Sequence, residues 1–249
     1  MNSYTGLHAA VYDELYADKP YVEEARFVHE LVGSPRGRLL DVACGTGRHA
    51  RAFADLGYRV TGVDLNEQLL GVARTIGRDD VRYVVGDMRD LSVDGGPFDV
   101  VTCLFDSLGY ACDNDGVVAT LRSMARQTAP GGSIACEFLH AAAMLCGSTQ
   151  TRVRRLTLRD GRRLVRTSET SIDVERMLMH VHYELIVLDD GGLGTREDEA
   201  QKNRFFSVPE MQLLAEAAGL RVREIVPAYT TGPIDADTFH LMLVAVRAS

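Results

Sequence analysis

The stretch Leu39-Leu40-Asp41-Val42-Ala43-Cys44-Gly45-Thr46-Gly47, followed by a second apolar segment that stops at Asp64, decides the fold of this chain. An apolar strand enters a turn carrying two glycines, and a helical pattern leaves it at Arg48. Glycine in such a turn lets backbone N–H groups approach a ligand that a Cβ would fend off. Asp64, at the end of the next strand, is placed to accept hydrogen bonds from two ribose hydroxyls. Together these features predict an α/β, Rossmann-like domain with a crevice for an adenosine-containing cofactor.

The segment Gly45-Thr46-Gly47-Arg48-His49-Ala50 also fits the dinucleotide pattern G-x-G-x-x-G/A, so a NAD(P)-dependent oxidoreductase is a rival reading. Three features favour S-adenosylmethionine. Asp41 puts a carboxylate just inside the turn, where it repels a pyrophosphate and holds a cationic amino-acid end. Gly86-Asp87-Met88 ends the apolar run from Val81 to Val85; there Asp87 can accept from an adenine amino group and Met88 can pack on the ring. Pro97 to Tyr110, PFDVVTCLFDSLGY, reads as a buried strand from Phe98 to Leu104 that opens into a loop facing the reacting centre.

On these residues the chain resembles the class I S-adenosylmethionine-dependent methyltransferases, through LLDVACGTG, the acid in GVDL, the GDM after strand three, and FDVVTCLFDSLGY with a later APGGSI. The opening AAVYDELYADKPYVEEA and the phrase LFDSLGY are similar to small-molecule N-methyltransferases, notably those that dimethylate nucleotide-linked amino sugars in natural-product pathways. The resemblance implies a seven-stranded, mostly parallel sheet with helices on both faces. It also implies S-adenosyl-L-methionine as cofactor, with S-adenosyl-L-homocysteine as product. Cofactor contacts then fall on Asp41, Gly45, Gly47, Asp64, Leu65, Asp87, Met88 and Leu104, with Ala43 in the same turn. Asp106 departs from the pattern, since such enzymes often carry Ser or Asn there, and the charge around the acceptor changes accordingly.

The chain of 249 residues, 46% of them hydrophobic, supports one large domain with an appended element. Lys and Arg number 27 against 35 Asp and Glu, and the net charge of -8 argues against a nucleic-acid partner. Arg152, Arg154, Arg155, Arg159, Arg162, Arg163 and Arg166 concentrate positive charge in mid-chain, as a solvated strand face or as a site for an anionic substrate such as a sugar diphosphate. The opening residues show neither a signal peptide nor a membrane span, so a cytoplasmic protein with no membrane partner is expected. Five cysteines without zinc or C-x-x-C spacing read as free thiols, with Cys44, Cys103 and Cys136 in the core. No metal-ligand pattern is evident, so no metal is expected.

Strands and helices alternate from Arg38 to Phe138: strands 38–43, 59–64, 81–85, 98–104 and 133–138, with helices 48–56, 67–76 and 116–127. Between Thr151 and Arg204 the apolar period changes to two, through Val153, Leu156, Met177, Met179, Val181, Tyr183 and Leu185. Antiparallel strands are expected, joined at Asp160-Gly161 and at Asp189-Asp190-Gly191-Gly192. Ser207-Val208-Pro209-Glu210 starts a helix that ends at Gly219, and strands near 221–226 and 239–246 complete the sheet. The organisation is therefore an N-terminal helical lid over 1–35, a cofactor domain over 36–148 and 205–249, and an antiparallel β insert over 149–204. The insert either roofs the acceptor pocket or forms a homodimer interface.

Methyl transfer is an in-line displacement that mainly requires alignment and exclusion of water. Tyr12 and Tyr21 on the lid are candidate cofactor contacts, and Tyr16, Phe105 and Tyr229 candidate acceptor contacts. His140, after strand five, is preferred to His240 as the general base, and Asp106 and Tyr110 complete the catalytic candidates. Glu137 reads either as a contact to the acceptor or as an acid near a strand end that is merely solvated. The expected reaction is methylation of an amine on a small sugar-derived or amino-acid-derived acceptor, with small-molecule O-methylation as the alternative.

Overall fold

The computed structural model describes residues 3–33, 36–147, 151–189 and 191–247. Three helices open the chain: α1 (Gly6–Ala10), α2 (Tyr12–Leu15) and α3 (Tyr21–Val32). The chain then runs through β1 (Arg38–Val42), α4 (Arg48–Asp55), β2 (Arg59–Asp64), α5 (Glu67–Thr75), β3 (Val81–Val85), β4 (Phe98–Cys103), α6 (Asn114–Gln127), β5 (Thr128–Leu139) and α7 (Ala141–Cys146). Four long strands follow: β6 (Thr151–Thr157), β7 (Arg163–Asp173), β8 (Leu178–Asp189) and β9 (Gly192–Arg204). Helix α8 (Val208–Ala217), β10 (Leu220–Pro227) and β11 (His240–Arg247) close it.

Among the described residues, seven strands form one sheet in the order β10-β11-β5-β4-β1-β2-β3. β11 alone runs against its neighbours, antiparallel to both β5 and β10. The chain winds outward from β1 to β3 and returns to β4 beside β1, which opens a crevice at the carboxyl ends of β1 and β4. Successive strand residues alternate between two apolar layers. Leu40, Val101 and Ile134 pack under α6 and α8 with Leu121 and Met211, while Leu39, Val100 and Ala135 pack under α3 and α4 with Val28 and Phe53. Nearly continuous apolar runs in the central strands follow from this burial on both faces.

Local capping sets where the helices begin. The Asn66 side chain accepts from the Gln68 and Leu69 amides at the start of α5, and Asp113 accepts from Gly116 N–H at the start of α6. Ser207 and Glu210 form a reciprocal capping box at α8, with proline in its first turn, as the spacing predicts. Gly219 then takes the left-handed conformation, with φ +80°.

Two elements differ from the sequence expectation. β5 begins at Thr128 rather than Ser133: Thr128 pairs with Phe98, the Pro130-Gly131-Gly132 turn loops out, and pairing resumes between Val100 and Ser133. Helix α7 was not foreseen, because six residues of AAAMLC carry too little periodicity to announce one. Asp190 of the expected turn lies outside the described residues.

β6 to β9 form a separate antiparallel sheet in sequence order. Its apolar face packs against the N-terminal helices, where Val11 and Leu15 are buried against Leu158, Leu164, Leu185 and Val187. Among the described residues no helix is long and apolar enough to cross a membrane.

Candidate active site

The glycine turn after β1 is held open by backbone geometry. Ala43, Gly45 and Gly47 all have positive φ, at 56°, 55° and 74°. Asp64 fastens the turn from the next strand: its Oδ2 accepts from Gly45 N–H at 2.7 Å and its Oδ1 from Asn66 N–H at 2.8 Å. The Leu65 amide bonds it as well, so of the about four acceptor positions a carboxylate offers, about one is left for a ribose hydroxyl. Burial raises the Asp64 pKa, against the pull of these amide bonds.

One cavity beside this turn is lined by Tyr12, Ala43, Gly45, Asp64, Leu65, Asp87 and Met88. A second, smaller hollow continues it past Tyr12, Tyr21, Asp41, Ala43, Gly45, Leu104 and Phe105. The two share Tyr12, Ala43, Gly45 and Ser107 and so form one elongated site, whose first part has the place the sequence expects for adenosine and whose second has that expected for the amino-acid end. Gly47 lines neither part. A Cβ there would lie 2.3 Å from the Tyr83 hydroxyl, so this glycine serves the packing of β3 on the turn. Asp87 is engaged by Arg89, whose backbone N–H it accepts at 2.9 Å and whose guanidinium it pairs at 2.6 Å. Those bonds hold its pKa low.

Asp41 tests the fit of a sulfonium cofactor most directly. Its carboxylate is 2% exposed, with Oδ1 accepting from the Thr102 hydroxyl at 2.9 Å and Oδ2 buried without a partner. Burial pushes its pKa up to about 6, although His49 and the Thr102 bond pull the other way. An orphaned buried carboxylate oxygen beside the cavity fits the ammonium of an amino-acid end and would oppose a pyrophosphate.

The N-terminal segment reaches this end of the site through Lys19. Its ammonium lies 4.3 Å from the Phe105 ring centroid and 5.6 Å from those of Tyr21 and Tyr229. It also pairs with Glu24 at 2.5 Å, and Glu24 in turn meets His49 Nε2 at 2.7 Å.

A second large cavity, of about 480 Å³, lies between this site and the β insert. That is within the ~300–1,000 Å³ range of small-molecule sites. Tyr16, Phe105, Asp106, Tyr110 and His240 line it from the cofactor domain and lid, and Arg152, Met179 and Tyr183 from the insert. Tyr110 borders both the adenosine cavity and this one, and Phe105 borders both the amino-acid end and this one. The two cavities therefore meet at these rings.

At that junction stands a cluster the sequence did not disclose. His240 Nδ1 lies 3.1 Å from Asp106 Oδ1 and 3.3 Å from Glu137 Oε1. The other Glu137 oxygen accepts from Phe105 N–H at 2.6 Å and from the Tyr229 hydroxyl. Phe105 and Asp106 are consecutive left-handed residues, φ 57° and 55°, each costing about 1–3 kcal/mol. Glu137, 1% exposed, fixes the first of them and sets how Asp106 is presented. Burial and then the Glu137 charge push Asp106 up to about 6. Burial lowers the His240 pKa, but the bonds to Asp106 and Glu137 outweigh it and bring the imidazole to about 10. His240 so held is an imidazolium whose single positive charge offsets one of the two carboxylate charges.

These placements redistribute the sequence candidates. Asp106, Tyr110, Tyr16 and Phe105 come together in the second cavity. Tyr229, expected as an acceptor contact, does not line that cavity; its hydroxyl donates to Glu137 behind Phe105 and Asp106. His140, preferred from the sequence, lines none of these cavities; its Nδ1 is bound to the Thr238 carbonyl at 3.0 Å, and His240 occupies the position expected of it. Ligand-type atoms of Asp106, Glu137 and His240 also lie within 4.8 Å of one another, although no metal pattern is visible in the sequence. His240 Nδ1 stands between the two carboxylates, within 3.3 Å of both.

A mostly parallel sheet with this switch point, this glycine turn and a buried, orphaned acid beside the cavity fit an S-adenosylmethionine-dependent methyltransferase of class I. Residues 39–132 match the methyltransferase domain family. The chain is 32% identical over 245 residues to the dTDP-3-amino-3,6-dideoxy-alpha-D-glucopyranose N,N-dimethyltransferase of Streptomyces fradiae, covering 92% of this chain and 89% of that one. It is 33% identical over 222 residues to the dTDP-3-amino-3,4,6-trideoxy-alpha-D-glucopyranose N,N-dimethyltransferase of Streptomyces venezuelae, covering 86% and 90%. Among solved structures, S-adenosylmethionine-bound CalS10, an amino pentose methyltransferase of Micromonospora echinaspora, superimposes with a TM-score of 0.76 at 26% identity, covering 100% of this chain and 99% of that one. The chain belongs to the class I S-adenosylmethionine-dependent methyltransferases, beside the amino-sugar N-methyltransferases.

Proposed function

We propose that this methyltransferase acts on the amine of a small, sugar-derived acceptor held in the second cavity. The observation that carries the reading is Asp106, a buried carboxylate presented at the junction of the two cavities with its charge balanced by His240. An amine reaches the site mostly as an ammonium, which a carboxylate attracts, and must lose a proton before it can attack. A side chain brought to about 6 is a better resting place for that proton than an ordinary aspartate. S-adenosylmethionine supplies a methyl group activated by its sulfonium. Phe105 and Tyr110 bound the path between donor and acceptor and exclude water from it. As the N–C bond forms and the S–C bond breaks, the positive charge passes from sulfur to the acceptor nitrogen, and once Asp106 has returned its proton to solvent its carboxylate can hold the new ammonium.

The amino-sugar class is supported by the two dimethyltransferase relatives. Arg152 on the cavity wall suits an acceptor with an anionic portion, such as a nucleoside diphosphate. Incubation with S-adenosylmethionine and dTDP-linked amino sugars, followed by mass spectrometry, tests the reading. One or two added methyl groups on nitrogen are expected, with competition by free nucleoside diphosphate. Methylation of hydroxyl analogues, with amines inert, would refute it in favour of O-methylation.

A further inference from the structure

Residues 3–8 are gripped from two sides. On the cofactor side, Asn66 Nδ2 donates to the Ser3 and Tyr4 carbonyls at 2.8 and 2.7 Å, and Gly6 N–H donates to Gln68 Oε1 at 3.0 Å. Asn66 is tied by its own N–H to Asp64. On the insert side, Glu199 accepts from Tyr4 N–H at 2.7 Å and Thr5 N–H at 3.3 Å, while Glu197 accepts from Leu7 N–H at 2.8 Å. Glu199 also meets the His8 ring at 3.1 Å and takes a hydrogen bond from Gln201. Residue 6 has to be glycine for this approach: φ is +52° and a Cβ would lie 2.5 Å from the Glu197 carboxylate.

The gripped segment supplies a wall to both cavities. Ser3 and Tyr4 line the adenosine cavity, and Tyr4 also lines the acceptor cavity. The Tyr4 ring is carried on a left-handed residue, φ +60°, a conformation that persists in a bulky residue only where its surroundings over-determine it. The Tyr110 hydroxyl lies 3.3 Å from that of Tyr4 and 3.2 Å from Gln201 Oε1, which returns the network to Glu199.

We infer that Glu199 is a positioning residue that couples the acceptor cavity to cofactor occupancy, so that a bound cofactor helps to seat the wall the acceptor meets. The inference rests on reading the second cavity as the acceptor site. A ligand in the adenosine cavity contacts Ser3 and Tyr4 and favours their seated arrangement, and the seated Tyr4 completes the acceptor wall. Linkage makes the effect reciprocal. Glu199 lines neither cavity.

Hydrogen exchange with and without saturating S-adenosylhomocysteine tests this without an acceptor. In the wild-type protein the ligand is expected to slow exchange severalfold in residues 196–204, as well as in residues 64–69 at the cofactor site. In Glu199→Gln the slowing at 196–204 is expected to vanish while that at 64–69 remains. A purely structural role would instead speed exchange at 196–204 equally in both states. Unchanged exchange at 196–204 in the saturated wild type overturns the inference, as does full slowing in Glu199→Gln. If that variant fails to fold, the wild-type comparison still decides, and Glu197→Gln is expected to weaken the slowing without abolishing it. Failure of amine methylation would leave this readout untouched, so the two readings fail separately.

Discussion

Replacing Asp41 by Asn should make the empty protein more stable and the cofactor site much weaker. The carboxylate goes from an ordinary value of 3.8 to about 6 on folding. At about 1.36 kcal/mol per unit, that difference is a penalty of about 3 kcal/mol for holding the charged form in the fold. The sign follows from proton binding. Below 3.8 the group is neutral in both states and makes no difference. Between 3.8 and about 6 the native state holds the proton more often, so stability falls as pH rises. Above about 6 the whole penalty is present.

Asparagine keeps an oxygen for the Thr102 hydroxyl and carries no charge, so at pH ~8 the variant gains up to about 3 kcal/mol, an upper bound because its amide N–H group needs a partner. For a chain of this size that is a rise in Tm of up to about 6–12 °C. The cofactor's ammonium loses a charge-assisted bond of about 1.5–3 kcal/mol, about a 10- to 150-fold weaker Kd. Differential scanning fluorimetry across pH and calorimetry with S-adenosylhomocysteine read the two effects together. A variant that binds as tightly as wild type, or that melts lower at pH ~8, would refute the role given to the orphaned oxygen.

The two histidines separate cleanly. His140→Ala is expected to retain turnover within about twofold, since its ring serves a backbone carbonyl outside the cavities, whereas His240→Ala should lose about tenfold or more in steady-state rate. Removing the His240 charge leaves Lys19 as the cation that offsets Glu137 at Asp106, so the acidic limb of the rate profile should move to higher pH; an unmoved limb counts against Asp106 as the proton acceptor. Glu137→Gln should lower kcat more than it raises the cofactor's KM, because it loosens Phe105 and Asp106 rather than the glycine turn; equal effects on both would argue otherwise. Activity should survive excess chelator, given that the imidazolium already fills the space between the carboxylates; loss reversed by a divalent ion would place a metal there.

What could be read in the sequence was local. The glycine turn, Asp64 and the capping box at Ser207 are set by neighbours a few residues away, and their spacing survives into the structure. The choice between His140 and His240 was not local. It depends on the register of β11 against β5, where His240 pairs with Leu139, and strands 100 residues apart carry no sign of that alignment in their composition. Glu137 could be read two ways for the same reason, since the amide it grips belongs to Phe105, on another strand's loop. The Glu199 contacts to Tyr4 and His8 span more than 190 residues, and no periodicity joins them.

The burial of Val11 and Leu15 against Leu164 and Leu185 sets a rule for redesign. With the acceptor in the second cavity, as proposed, the walls that residues 151–204 contribute help to set its preference, which makes that block the natural piece to exchange with another methyltransferase. A graft of those strands alone would leave the first helices facing a foreign apolar surface and the donor site without its cover. The opening twenty residues should travel with the block as one transplantable unit.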